Sequence, residues 1–386
     1  VKRGRDAAIE YSFNISKDLS KPQILDSGRV DFYNLNMIQS VVEGQELAKK
    51  TPAVPGVSGI TVTGKPINPP IPRDVLLKPG KNAMLANDGL TLIAKISGHA
   101  FIQAGCICVS PVFEVAGDVD LSTGNIDFIG GVRILGNIRP GFTVNAGGDV
   151  EVNRTVEGGF IRAGGNIIVK EGILGRERGQ ITADGSVYAR FLENANVEAG
   201  HAVIVGDAIM NSIVKAGSKI TVKGQKGKII GGLCFAGEEI EAKVIGSMLA
   251  VNTELEIGIS SQSIADLKAL SKDEIMITDQ LQKLEEMIKI LNNSKELEKY
   301  LVLKGQDPDV LTATQQNLLT KLEAIKGKRS EILASFKLLE QGRVRVHECI
   351  HPGAVIRFAN LSYNVREEMR HIYFYKEEDE VKAAHY

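Results

Sequence analysis

Hydrophobic positions across residues 142–258 follow one short pattern that returns six times. Aligned on Ala146, Ala163, Ala183, Ala199, Ala216 and Ala236, the residue two positions earlier is Val144, Ile161, Ile181, Val197, Val214 or Cys234. Four positions later stand Val150, Ile167, Val187, Val203, Ile220 and Ile240, and six positions later Val152, Val169, Ala189, Val205, Val222 and Ala242. Offsets of −2, 0, +4 and +6 share one face of period-2 strands with a bend between them. The residue after the alanine is Gly147, Gly164, Asp184, Gly200, Gly217 or Gly237. Successive copies lie 17, 20, 16, 17 and 20 residues apart, the length of one coil of a parallel β-helix.

One such coil cannot bury its apolar face alone, so the repeat predicts a stack. The glycines are expected at corners with φ > 0. The extra residues of longer copies, 171–179 and 224–232, are expected to bulge outward as loops. Weaker copies stand at Phe128, Gly130, Gly131 and Ile134, at Ile102, Ala104, Gly105 and Cys108, and far downstream at Ile350, Pro352, Gly353, Ile356 and Phe358.

Beyond Gly258 the period changes from two to three and a half. Leu267, Leu270, Ile277, Leu281, Leu284, Ile288 and Leu291 keep alternating three- and four-residue steps, with Glu274 as the polar intruder. Leu311, Leu318, Leu322, Ile325, Ile332, Phe336 and Leu339 do the same, with Gln315 and Arg329 as intruders. Asn292, Asn293, Gly305, Asp307 and Pro308 break the two series. An antiparallel coiled-coil hairpin folded about residue 301 sets Leu284 opposite Leu318 and Ile277 opposite Ile325. It also sets Glu274 opposite Arg329, a buried ionic pair that would fix register.

Strand alternation resumes beyond Gln341 at Val344, Val346, Ile372 and Phe374, so the hairpin interrupts a β-structure. Upstream, Tyr11, Phe13 and Ile15 alternate, and 27–36, 56–65 and 90–96 are expected as strands. Pro66, Pro69, Pro70 and Pro72 predict an extended connector. The expected organisation is an N-terminal β domain (1–100), a right-handed parallel β-helix (101–258), the α-helical hairpin (259–341) and a β segment completing the β-helix (342–386).

Composition suits this mainly β reading: 386 residues include 40 glycines and no tryptophan. A formal net charge of −1 offers no electrostatic argument for nucleic acid or an anionic membrane. Cys106, Cys108, Cys234 and Cys349 are sparse and irregularly spaced, which argues for a reducing compartment. There is no signal peptide and no apolar run of bilayer-spanning length. The chain begins at Val1, so residues are expected to be missing upstream.

One chemical motif stands out. His347-Glu348-Cys349-Ile350-His351 matches H-E-x-x-H, whose zinc chemistry needs both imidazoles on one helix face. Val344 and Val346 alternate before it and Pro352-Gly353 follow, so a strand is expected, with Ile350 inward and His347, Cys349 and His351 outward. That arrangement permits surface metal capture but not a zinc hydrolase. Cys106-x-Cys108 near His99 lacks further ligands, and Cys108 and Cys234 are expected as small buried residues. His201 is expected at the surface. The loop 175–179 could meet an anion or be a solvated turn, and 224–228 lacks the spacing of a phosphate-binding loop. No catalytic, cofactor-binding or metal residue is assigned. The residues singled out are structural: the corner glycines Gly147, Gly164, Gly200, Gly217, Gly237 and Gly353, and the seam pair Glu274 and Arg329.

The segments GRVDFYNLN (28–36), VVEGQELAKKTPAVPGVSGITVTGKPI (41–67) and KPGKNAMLANDGLTLIAKISG (78–98), followed by the Ala-Gly coils, resemble the flagellar assembly protein A family. The coils alone are also similar to bactofilins and to the C-terminal domain of the division inhibitor MinC. The resemblance implies a β-domain, a β-helix and a helical hairpin in one bacterial cytoplasmic protein, with no catalytic residues or cofactor. It implies a scaffold that meets protein partners, or itself, and is recruited by them to the cell pole or the inner membrane face. Two other classes compete. A β-helix carbohydrate-active enzyme would need carboxylates clustered on one face beside aromatic platforms, and the outward residues here are scattered and mixed in sign. A nucleic-acid adaptor acting through a missing N-terminal region is disfavoured for this chain by neutral charge and few aromatics.

Overall fold

Alternating apolar residues in the first hundred positions build two small antiparallel sheets. In the computed structural model, four strands pair in the order Ala8–Tyr11, Glu46–Thr51, Thr91–Ala94, Ala83–Leu85, and three in the order Cys106–Ser110, Gly98–Gln103, Ser40–Val41. The structure describes residues 1–15, 23–24, 30–31, 33, 38–176, 178–258, 261–292, 308–338, 342–359 and 361–385. The chain divides into two units, one of residues 1–216, 220–233 and 242–244, the other of 217–219, 234–241 and 245–386. In the first unit Leu47, Ala48, Leu92, Ala94, Ala100 and Ile107 converge with Phe13 and Val41 into one N-terminal core.

Three expectations for this region change. Residues 102–108 are not a coil: Ile102 pairs antiparallel with Ile107 and Phe101 with Cys108. Ala104 and Gly105, at φ 50° and 75°, make a tight turn that reverses the chain instead of bending it. The antiparallel sheets therefore run to Ser110, beyond the expected boundary at 100. The run 56–65 is not one strand, because Gly59–Ile60 folds back on Pro66–Ile67. Most of the expected strand 27–36 lies outside the described residues, although Val30–Asp31 pairs with Gln23–Ile24.

From Val112 onward in this unit, each strand pairs in parallel with its counterpart one coil later. Ala146, Ala163, Ala183, Ala199 and Ala216 stand directly opposite one another, as do Val150, Ile167, Val187 and Val203. The upstream copy joins the same register, with Phe128 on Ala146 and Ile134 on Val152. A further column, hidden in the repeat, pairs Val119, Ile138, Val156, Ile173, Leu192 and Ile209. All six are buried, so the coil closes on three faces around a continuous apolar interior.

The corner glycines do not work as expected. Gly147, Gly164, Gly200, Gly217 and Gly237 do not adopt positive φ, and Asp184 shares their column with an ordinary φ as well. Glycine is needed instead because coils approach closely. A Cβ on Gly164 would lie 2.5 Å from the Gly147 carbonyl oxygen, and one on Gly147, Gly200 or Gly237 would overlap the carbonyl of Ile129, Asp184 or Gly217. Gly353 alone of the set is left-handed, at φ 87°.

In the second unit Thr253–Ile257 pairs in parallel with Ala354–Phe358, setting Leu255 on Ile356 and Ile257 on Phe358, all buried. Between these strands the chain forms two helices, Ser261–Asn292 (α1) and Pro308–Leu338 (α2). The link with Asn293, Gly305 and Asp307 lies outside the described residues, as do the side chains of Ile288, Leu291, Leu311, Ile332, Phe336 and Leu339. Leu267, Leu270, Glu274, Ile277 and Leu284 are half-buried and Leu281 is buried, matched by half-buried Gln315, Leu318, Leu322, Ile325 and Arg329. The β segment after α2 joins the stack through Arg343–Ile350 and Ala354–Phe358, then turns antiparallel. Met369–Glu377 pairs with Arg343–Ile350, and Glu380–His385 with Met369–Glu377. Among the described residues no helix is long and apolar enough to cross a membrane.

Candidate functional site

The H-E-x-x-H residues lie on the strand Arg343–Ile350 and just past its end, so the motif has no helix face on which to gather a metal. The His347 Nε2 lies 2.7 Å from Oε1 of the buried Glu241. Cys349 Sγ lies 3.6 Å from His351 Nε2, and His351 Nδ1 lies 3.5 Å from Glu368 Oε2. Glu348 is exposed and Ile350 buried. His351 is not outward as expected but 8% exposed. Strand alternation stops at Ile350, and the His351 N–H donates to the Ile245 carbonyl at 2.9 Å, drawing the ring inward beside Gly246. Two imidazoles are thus each placed by a different carboxylate. Among the described residues no three His, Cys, Asp or Glu side chains converge as a metal site.

The cysteines are free thiols. Cys108 and Cys234 are buried, and burial pushes the Cys234 thiol up to about 12, which removes the reactive thiolate. His99 packs flat against Phe101 and edge-on to Phe113, and burial lowers its pKa below 6.5 while the Gln39 backbone pulls the other way. His201 is exposed. In the loop 175–179, Arg176 donates to Glu157 of the preceding coil at 2.8 Å, which occupies it within the stack.

Sequence reading missed how the outward residues are used. Charges of alternating sign climb the coils. Arg133 sits 3.9 Å from Glu114 and 2.9 Å from Glu151, which Lys170 meets at 2.8 Å. Arg139 likewise joins Asp118 at 2.7 Å to Glu157 at 3.6 Å, and in the second unit Glu239 takes both Lys219 at 3.2 Å and Arg345 at 2.9 Å. Lys170 and then Arg133 hold the Glu151 carboxyl below its ordinary range. A polar ladder runs at the corner. The Asn166 N–H donates to Asp149 Oδ1 at 2.7 Å, the Ser186 N–H donates to Asn166 Oδ1 at 2.9 Å, and the Ala202 N–H donates to Ser186 Oγ at 3.3 Å. These side chains satisfy corner amides that the sheet leaves unpaired. The signal was present three residues after the aligned alanines, where Asp149, Asn166 and Ser186 stand.

On the helices, Arg329 Nη1 donates to Glu274 Oε2 at 2.8 Å. Their side chains are 42% and 21% exposed, so the pair is part-solvated instead of buried. With buried Leu281 and half-buried Ile277, Leu284, Leu318 and Ile325, it lies on the face along which α1 and α2 pack. Beside it opens a cleft of about 480 Å³ lined by Ser271, Ile275, Thr278, Asp279 and Gln282. Ile275, Met276 and Leu319 are bare, at 71%, 51% and 44% exposure.

No curated protein and no solved structure matches the chain. Two family models do: the Flagellar Assembly Protein A N-terminal region over residues 1–105, and the Flagellar Assembly Protein A beta solenoid domain over residues 111–381. The first model stops at the turn of the hairpin Gly98–Ser110, and the second begins at residue 111, just before the parallel coils start at Val112. With stacked parallel coils, an interposed helix pair and both models covering nearly all its length, the chain belongs to the flagellar assembly protein A family.

Proposed function

We propose that the protein is a non-enzymatic cytoplasmic scaffold for flagellar assembly or placement, in which the coils form a rigid, right-handed support and the helices a coiled-coil arm that docks protein partners. Right-handed winding is the expectation for parallel strands joined by crossovers. The observation that carries the reading is the contrast between outward residues on coils and helices. On the coils, carboxylates and cations are engaged with neighbouring coils, which stiffens the stack and leaves few free for acid-base chemistry. On the helices, Ile275, Met276 and Leu319 are bare apolar groups of the kind that partner surfaces cover.

The test replaces residues 263–341 by a short Gly/Ser link. Circular dichroism should retain the β-signal, since Leu255 and Ile356 close their rung without the helices. Co-purification of the partner from bacterial lysate should be lost. Retained capture would move docking to the β-structure, and a collapsed β-signal would make the helices part of the core. Turnover of acidic polysaccharide by the intact chain would overturn the non-enzymatic reading.

A further inference from the structure

Residues 1–5 and 52–73 form a small arm on the N-terminal sheets. Lys2 and Val57 exchange backbone hydrogen bonds of 3.0 and 2.9 Å, and Arg5 and Val54 exchange two of 2.9 Å. Gly4 and Gly56 let this ladder lie against Pro72 and Pro69, since a Cβ on either would come within 2.7 Å of the proline. The hairpin beyond it closes through Lys65 N–H donating to Thr61 Oγ1 at 2.9 Å. The arm is built by backbone pairing, with almost no core of its own.

Its apolar side chains point to solvent. Val62 at the hairpin tip is 108% exposed, Ile71 92% and Ile60 77%, with Val57 and Val54 also bare. Its charges have one sign. Lys2, Arg3, Arg5, Lys65 and Arg73 are exposed, and neither 1–5 nor 51–73 contains an Asp or Glu. At the root, Asp74 is held by Lys50 at 2.8 Å and Asp6 accepts the Arg73 N–H at 2.8 Å. The chain's near-zero net charge conceals this local excess. The polar side chains of the hairpin bond to one another, Ser58 to Asn68 at 3.3 Å and Thr61 to Thr63 at 2.9 Å.

We propose that this arm docks on an anionic lipid bilayer, with Ile60, Val62 and Ile71 entering the headgroup boundary and the five cations facing lipid phosphates. Bare aliphatic groups of this number need a cover. Cations without acids select an anionic one. A protein partner would ordinarily be met by hydrogen bonds from the patch, whereas here Ser58, Asn68, Thr61 and Thr63 already bond within the hairpin, and its bare apolar and cationic groups dominate the outward surface. The lipid surface is the cover that asks for no more than these.

The test is co-sedimentation of the full chain with phosphatidylcholine vesicles, with and without about one third phosphatidylglycerol. Binding is expected only to the anionic vesicles, and more than tenfold weaker when KCl rises from about 0.05 to 0.5 M. Lys65→Gln with Arg73→Gln should weaken it by about 25-fold, near fivefold per cation. Ile60→Ser with Val62→Ser should weaken it several-fold at unchanged salt dependence. All four side chains are exposed, and circular dichroism checks that each variant stays folded. Equal binding to both vesicles, no binding at low salt, or variants that bind like the parent would each overturn the proposal. An acidic protein as the true cover would give the second of these results.

Discussion

The guanidinium of Arg329 meets the carboxylate of Glu274 at 2.8 Å, although 55 residues separate them in the chain. Both stand at seam positions held mostly by leucine and isoleucine. Because water reaches both side chains, their coupling should be that of a surface pair. A double-mutant cycle with Glu274→Ala and Arg329→Ala, read by thermal melting of the helical signal, should give about 0.2–1 kcal/mol. It should shrink in high salt. A coupling above about 2 kcal/mol would show a desolvated pair instead.

Gly200 and Gly117 should separate two reasons for glycine. A methyl at Gly200 overlaps the Asp184 carbonyl, whereas one at Gly117 meets nothing within 4 Å, and neither residue has positive φ. Gly200→Ala should destabilise by roughly 1–3 kcal/mol through coil displacement. Gly117→Ala should be neutral or stabilise by up to about 1 kcal/mol through the unfolded chain. Equal melting temperatures for the two variants would reject the close-approach explanation.

The corner ladder makes Asn166 both donor and acceptor between coils. Asn166→Ala removes the acceptor for the Ser186 N–H and should cost about 1–2 kcal/mol, while Asn166→Asp keeps an oxygen there but sets a second carboxylate beside Asp149, which the Asn166 Nδ2 meets at 3.3 Å, and should recover only part of it. Hydrogen exchange of the Ser186 amide gives a local readout. Its protection should fall in the alanine variant and persist in the aspartate.

Acid should act in two stages. His99 has its pKa lowered by burial, so the folded state binds fewer protons than the unfolded state below 6.5. Its contribution is full above 6.5 and is lost as pH falls through the folded value. Asp118, lowered first by the Asn137 backbone N–H and then by Asn137 and Arg139 side chains, contributes fully above 3.8 and loses its part only below that. Denaturation followed from pH 7 to 5 should therefore show a decline that His99→Phe abolishes and Asp118→Asn does not. A decline unchanged by His99→Phe would place the titrating group elsewhere.

The coils were legible because one face of each strand repeats the same volume at the same offset. The register of Ala146 on Ala163 follows directly from aligning the alanines. The column from Val119 to Ile209 stands ten residues after Phe128, Ala146, Ala163 and Ala199 but nine after Ala183, where the irregularity between Ala189 and Phe191 moves Leu192 and breaks the constant offset that alignment relies on. The glycine column was visible but its cause was not. Spacing shows a preference for glycine, broken at Asp184, without showing whether φ or a neighbouring carbonyl causes it. The hairpin at Ala104-Gly105 shares its Ala-Gly pair with the coils, and only the backbone angles distinguish a reversal from a corner. The H-E-x-x-H residues were correctly denied a helix, yet the inward turn of His351 depends on Ile245, a hundred positions away, which local alternation does not encode.

The helices between Thr253–Ile257 and Ala354–Phe358 also bear on how fast this protein folds. Leu255 must find Ile356 across 101 positions of chain. Helical turns form within microseconds, well before distant strands meet. Once α1 and α2 have paired antiparallel, the free chain left to close falls from about 100 residues to about 20, which lowers the closure entropy by about 1.4 kcal/mol. That is close to a tenfold gain in the rate of closing this rung. On this account the inserted helices act as a splint during synthesis, and a helix-breaking Leu281→Pro that keeps the chain length should slow refolding more than it lowers the stability of the β-structure, whereas replacing 263–341 by a short link should not slow it.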